Sequence, residues 1–229
     1  MKIEVFEDAH AVAEHAAALI AAEARSAVTL RRHFVMAVSG GHTPWQMLRA
    51  LARLDMPWTD VEIAQVDERV APAGDPDRNL THLQESLLQT SRLPAAQVHS
   101  MPVEAPDLNA AAAQYAETLQ RLAGSPPVFD LVHLGLGPDG HTASLVPGDP
   151  VLKVVDQDVA MTGKYQNRRR MTLTYPILNR ARRVLWLVTG ADKAEPLARL
   201  RDGDPSIPAG RVRQDQAIVL ADRAAATKL

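Results

Sequence analysis

FDLVHLGLGPDGHTASL, residues 129–145, sets Gly135, Gly137 and Gly140 in a literal G-x-G-x-x-G directly after a strand-like apolar run. Two folds compete for that pattern. In a dinucleotide-binding fold the glycines form the phosphate turn, a crossover helix follows, and a second strand ends in an acid about 20 residues on. In the other reading, the loop closes a strand and presents Asp139 and His141 for chemistry. Asp156 and Asp158 could supply the acid, but only TASLVPGDP separates His141 from Val151, with Pro147, Gly148 and Pro150 as breakers. A βαβ crossover needs at least about 10–12 residues including its helix. Asp139 would also put a carboxylate among amides meant for a pyrophosphate. The fingerprint fails, and a nicotinamide oxidoreductase is weakened with it. What is left is a tight turn at the carboxyl end of a strand. Its histidine suits acid–base work near neutrality, and a carboxylate two residues away can orient it. The plainer alternative makes Asp139 the cap of a short helix starting near His141.

Working outward, strand-like and helix-like patterns alternate. KIEVF (2–6) reads as a strand, and Asp8 caps a long Ala-rich helix to about residue 30. HFVMAVS (33–39) is a buried strand, followed by a glycine turn and a helix with Thr43 as cap and Pro44 at its first position. VEIAQVD (61–67) is the next strand, and the loop after it leads into a short amphipathic helix, LTHLQESLLQ. A weak strand at QVHSM precedes a helix whose Leu108, Ala112, Tyr115, Leu119 and Leu122 keep helical spacing. Strands at 128–134, near 171–174 and at VLWLVTG (184–190) follow, then a helix from about 191 and a last strand, AIVLA. The pattern predicts an α/β fold: a largely parallel sheet covered on both faces. Ligands of such sheets sit outside the carboxyl ends of the strands.

Bulk properties agree. With 229 residues, 46% hydrophobic and 23% charged, the chain is expected to form a single domain over 1–229. A net charge of −2 gives no global basic field, so nucleic acid is not expected as a partner. The absence of cysteine excludes disulfides, thiol catalysis and cysteine-based zinc sites. No apolar run approaches the roughly 18–20 residues of a membrane span, and the acidic N-terminus does not read as a signal peptide. A cytoplasmic protein without membrane partners is expected.

Three further strand ends look equipped for an oxygen-rich anion. SGGHTP (39–44) feeds a helix N-terminus with no acid in its first turn, leaving Ser39, Gly40, Gly41 and Thr43 around an anion-attracting end. Lys193, in TGADKAEP, stands near another helix N-terminus, where a cation is disfavoured unless an anion meets it. DER (67–69) puts three charges at the end of a buried strand, although a salt bridge would account for two of them. In RRR (168–170) the first two arginines read as surface charge, and Arg170, beside a strand, as the ligand contact. His133 reads as a core histidine with a hydrogen-bond partner. No histidines pair at metal-site spacing, so no metal is implied.

Together, AVSGGHTP, VDERVAP with DPDRN, LGLGPDGHTASLVPG, RMTLTYPILNRAR and LVTGADKAEPL resemble the 6-phosphogluconolactonase family in order and spacing over nearly the whole chain. The resemblance implies a modified Rossmann-like α/β/α sandwich that hydrolyses 6-phospho-D-glucono-1,5-lactone, a phosphorylated sugar lactone, without metal, cofactor or covalent nucleophile. It implies His141 as general base held by Asp139. Ser39–Thr43, Arg170 and Lys193 would grip the phosphate, with Asp67 and Arg69 lining the sugar site. The oxyanion would find donors in loop amides near Gly137–Gly140 or in Arg69. A monomer is expected, since no exposed apolar helix stands out. Three departures accompany the match: His42 replaces the serine usual in SGGSTP, MTGKYQNRRRM replaces a proline-rich approach to Arg170, and PAGRV carries Gly210 where a small non-glycine residue is commoner. Related glucosamine-6-phosphate deaminases share SGGxTP but carry DGHIAF-like residues in place of DGHTASL. A sugar-phosphate sensor on the same fold would need neither Asp139 nor His141.

Overall fold

In the computed structural model, which describes residues 1–229, the apolar runs become ten strands. They are β1 (Lys2–Phe6), β2 (Phe34–Val38), β3 (Val61–Gln65), β4 (Asp67–Arg69), β5 (Val98–His99), β6 (Leu131–Gly135), β7 (Val159–Met161), β8 (Arg170–Leu173), β9 (Val184–Val188) and β10 (Ala217–Asp222). The α-helices are α1 (Ala9–Arg31), α2 (His42–Leu51), α3 (Asn79–Leu83), α4 (Leu108–Ala123), α5 (Tyr175–Arg180) and α6 (Ala194–Arg201). Seven strands form one sheet in the order β1-β10-β9-β6-β2-β3-β5, and every neighbouring pair is parallel.

Both faces of that sheet are buried, and β2 shows how one strand serves two cores. Phe34, Met36 and Val38 pack with Val12, Ile20 and Ala24 of α1 and Met47, Leu48 and Leu51 of α2. The alternate residues Val35 and Ala37 pack with Tyr115 and Leu119 of α4 and Leu197 and Leu200 of α6. A period of two on a strand meets a period of 3.6 on each helix, which gives the α/β/α layering expected from the sequence. Asp8 caps α1 by accepting from the Ala11 amide at 2.8 Å. No helix is long and apolar enough to cross a membrane.

Three sequence expectations need correction. The chain leaves the main sheet at Val66, and Asp67–Arg69 belong to a second, antiparallel sheet ordered β4-β8-β7. Helix α2 begins at His42 with Gly41 as its cap, so Thr43 lies inside the first turn. Gly41 has φ +128°, which turns the chain into the helix early, and the Thr43 hydroxyl pairs with Thr189 Oγ1 at 2.7 Å instead. No α-helix lies between Gly135 and Tyr175, so nothing crosses over after β6 and Asp139 caps no helix at His141.

Candidate active site

The carboxyl ends of β9, β6, β2 and β3 stand side by side at the centre of the sheet. Their loops, with β4 and β8, enclose a cleft of about 350 Å³. Ser39, Gly40, Gly41, Thr43, Asp67, Arg69, His141, Arg170 and Lys193 all line it, drawn from five separated stretches of sequence. Asp139 stands behind His141.

The loop after β6 is built to fix that histidine. Asp139 Oδ1 lies 2.5 Å from His141 Nδ1 and also accepts from the His141 amide at 3.1 Å. A carboxylate only accepts, so Nδ1 carries a proton, and in the neutral imidazole Nε2 keeps its lone pair. Partial burial pushes the Asp139 carboxyl upward, but the charge, ring and amide of His141 together hold it below the usual carboxylate range. The imidazole packs against Gly137 so closely that a Cβ there would come within 2.1 Å of Nδ1, so residue 137 has to be glycine. Thr142 anchors the loop by donating to the Gly135 carbonyl at 2.9 Å. Asp67 does not touch the histidine; it accepts from Ser144 Oγ at 2.6 Å and Asn79 Nδ2 at 3.3 Å. Two of the loop amides expected as oxyanion donors are already used: Gly137 N–H donates to the His141 carbonyl and Gly140 N–H to that of Gly137.

The other half of the cleft is electropositive. Arg170 is buried, and its pKa is lowered first by burial and then by repulsion from Arg69. Two mutually repelling guanidiniums, partly offset by Asp67 and Asp77, favour a bound anion. Both arginines keep a buried Nε–H without a partner. Lys193 points into the same space while paired with Asp192 at 2.7 Å. No side chain caps α2, so its first amides and positive dipole end open toward the cleft. Gly40 lets the turn pass Asn79, whose Oδ1 would lie 1.9 Å from any Cβ at residue 40. As expected, Arg168 sits outward, bound to Asp75 and Asp77. No three His, Cys, Asp or Glu side chains are grouped to hold a metal ion.

His133, fully buried in β6, takes its expected partner: its Nδ1 accepts from the Ser39 amide at 3.2 Å, beneath the glycine turn. Nε2 then bears the proton and has no partner, and burial pushes the pKa down to about 3. Folded His133 stays neutral while the unfolded chain takes up a proton below about pH 6.5. Stability is therefore complete above that pH and is lost as pH falls from about 6.5 toward 3, by up to about 1.4 kcal/mol per unit. Urea midpoints at about pH 7, 6 and 5 should fall accordingly. His133→Asn, which keeps an acceptor but does not titrate, should flatten that slope. An unchanged slope would place the acid sensitivity elsewhere.

Asn79, Ser144, Thr189, His133 and Tyr165 support or border the site and were not singled out for it from the sequence. Asn79 ends the DPDRN run and Ser144 the GHTAS run, so motif reading had a signal for those two. Thr189 and Tyr165 act through contacts 146 and 26 residues away in sequence, which the motifs around them do not reveal.

The sequence matches the family of glucosamine-6-phosphate isomerases/6-phosphogluconolactonase over residues 7–220, and the chain belongs to that family. A Synechocystis protein named 6-phosphogluconolactonase is 35% identical over 221 residues, covering 94% of this chain and 92% of that protein. A Mycobacterium tuberculosis protein of the same name is 36% identical over 241 residues, covering 99% and 98%. The crystal structure of 6-phosphogluconolactonase from Thermotoga maritima superposes with a TM-score of 0.85 at 26% identity, covering 96% of this chain and 98% of that one.

Proposed function

We propose that this family member hydrolyses 6-phospho-D-glucono-1,5-lactone to 6-phospho-D-gluconate, the second step of the oxidative pentose phosphate pathway. One observation carries the reading: an imidazole whose Nδ1 is locked to Asp139 offers its Nε2 to a cleft where two arginines repel each other and a lysine stands close by.

In this reading the phosphate rests on the open amides of α2, with Arg170 and Lys193 around it, and Asp67 and Arg69 meet the sugar. His141 Nε2 takes a proton from water as the water oxygen bonds to the lactone carbonyl carbon. The tetrahedral oxyanion is met by a guanidinium, since the Gly137 and Gly140 amides are occupied; Arg69, with its unpartnered Nε–H, is the donor assigned. Collapse breaks the bond to the ring oxygen, which recovers the proton from the imidazolium and becomes a hydroxyl. The acid released ionises in water.

The test follows proton release from lactone freshly generated from glucose 6-phosphate, with the spontaneous reaction subtracted. A rate well above background supports the reading. No acceleration by folded protein would refute it, and ammonia release from amino-sugar phosphates would then be tried. Lys193→Ala should weaken 6-phosphogluconate binding about tenfold, the lower end for a charge-assisted hydrogen bond at a partly exposed group, with a smaller loss of turnover. Calorimetry showing equal affinity would remove Lys193 from the phosphate site. We also assign a monomer: the exposed large apolar side chains, Val5, Leu30, Val155 and Leu229, are few. Sedimentation would show a dimer if that assignment were wrong.

A further inference from the structure

Residues 163–168 form a tight hairpin that reaches over the active site from the second sheet. Tyr165 and Arg168 pair across it, with N–H···O distances of 3.0 and 3.2 Å, and Gln166 and Asn167 take the turn at φ +51° and +63°. Two consecutive left-handed residues match the twist of a two-residue hairpin, so the tip has a defined shape. Its base is tied down, because Arg168 bridges to Asp75 at 3.1 Å and Asp77 at 2.8 Å.

The tip touches both halves of the site. The Tyr165 hydroxyl donates to Asp139 Oδ2 at 3.3 Å, and its ring stands edge-on to His141, with centroids 5.5 Å apart and planes at 64°. The Arg170 guanidinium lies over the same ring, 5.0 Å from its centroid. Gln166 Oε1 accepts from Arg170 Nη2 at 3.1 Å.

We propose that Tyr165 is a positioning residue, acting through Asp139 to hold His141 in its working tautomer and orientation, while its neighbour Gln166 aims Arg170. This role rests on the lactonase reading for its kinetic consequence, though not for its geometry. Asp139 has two oxygens, and Oδ1 alone serves His141. A hydroxyl on Oδ2 resists rotation of the carboxylate, which keeps Oδ1 on Nδ1, and the ring limits swing of the imidazole. Partial burial, and then the Asp139 charge, raises the Tyr165 pKa, which keeps the phenol protonated as the donor. At 3.3 Å the bond is longer than the roughly 2.7–2.8 Å optimum for O–H···O, so its effect is modest.

Two substitutions separate the two contacts. Tyr165→Phe keeps the ring and removes the hydroxyl, and is expected to lower kcat about 3- to 10-fold with KM within about twofold. Gln166→Asn suits the left-handed turn but shortens the reach to Arg170. It is expected to raise KM several-fold with kcat nearly unchanged. A readout independent of turnover is the His141 Nδ1 proton, whose NMR resonance lies downfield for so short a contact and should move in Tyr165→Phe. Equal kcat together with an unmoved resonance overturns the proposal. So does a kcat loss that only parallels a fall in melting temperature. If the wild type proves inactive on the lactone, a moved resonance still upholds the positioning role while the lactonase reading falls, and an unmoved one overturns both.

Discussion

His141→Ala is expected to fold normally, to bind 6-phosphogluconate, and to lose a factor of about 10²–10⁴ in kcat, the usual worth of a positioned general base. The fold should survive because the side chain stands at the cleft wall, 21% exposed, and packs in neither apolar core. Binding should survive because the anion contacts come from other loops. Asp139→Asn sharpens the test. An asparagine that turns its amide N–H toward Nδ1 makes that nitrogen the acceptor and moves the imidazole proton to Nε2, where a base cannot use it. Its loss should approach that of His141→Ala, and the double variant should be little worse than either, since the two side chains act as one unit. Acid release with background subtraction gives the rates, and calorimetry gives the affinities. Turnover within a few-fold of wild type in His141→Ala would remove this residue as the base. Additive losses in the double variant would separate Asp139 from it.

The sequence made the centre of this fold legible because β2 and β9 are wholly apolar and β6 nearly so, and such runs have few alternatives. Breakers after His141 were sufficient to reject a dinucleotide crossover, and the chain indeed continues from β6 into a second sheet without an α-helix. That second sheet was not legible. β4 and β7 have three residues each, too short for any period to show, and they are strands only because β8 pairs with both. The anion-binding side of the cleft followed from simple electrostatics: a glycine turn without an acid, and a lysine at the wrong end of a helix. Thr43 illustrates the limit of local rules. A threonine before proline and an apolar run reads as a cap, yet a bond to Thr189, just past the end of β9 and invisible in sequence, sets its role. Tyr165 is similar. The only signal was that MTGKYQNRRRM departs from the expected approach to Arg170, and a departure does not say what the new residues touch.

Glu68→Ala is expected to cost about 3–5 kcal/mol, the range for leaving a buried charge without its partner. Glu68 sits between two cleft residues but is itself fully buried. Its Oε1 accepts from the amides of Arg69 and Asn79, each at 2.8 Å. Its Oε2 accepts from the Leu80 amide at 2.8 Å and Gln65 Nε2 at 2.9 Å. Arg78 Nε lies 3.2 Å from the same oxygen, at an angle too bent for a hydrogen bond, so the attraction there is Coulombic. Alanine would leave these donors unpaired and leave Arg78, whose side chain is 3% exposed, with only the Ala71 carbonyl at 3.0 Å and the more distant Glu104 carboxylate at 3.6 Å. For a chain of this size the melting temperature should fall by about 6–20 °C. Glu68→Gln keeps the shape but loses the charge and turns one acceptor into a donor facing other donors, so it should fall between wild type and alanine. If the stranded charge dominates, Arg78→Met in the Glu68→Gln background should recover part of the loss, whereas independent sites would add. The cleft should suffer too: Glu68 ties β4 to the start of α3, and so holds Asp67, Arg69 and Asn79 in register. A KM that rises in parallel with the stability loss would show that the cleft's anion-facing wall depends on a carboxylate the substrate never touches. A loss below about 1 kcal/mol would mean that water or a shifted Arg78 satisfies the network without Glu68.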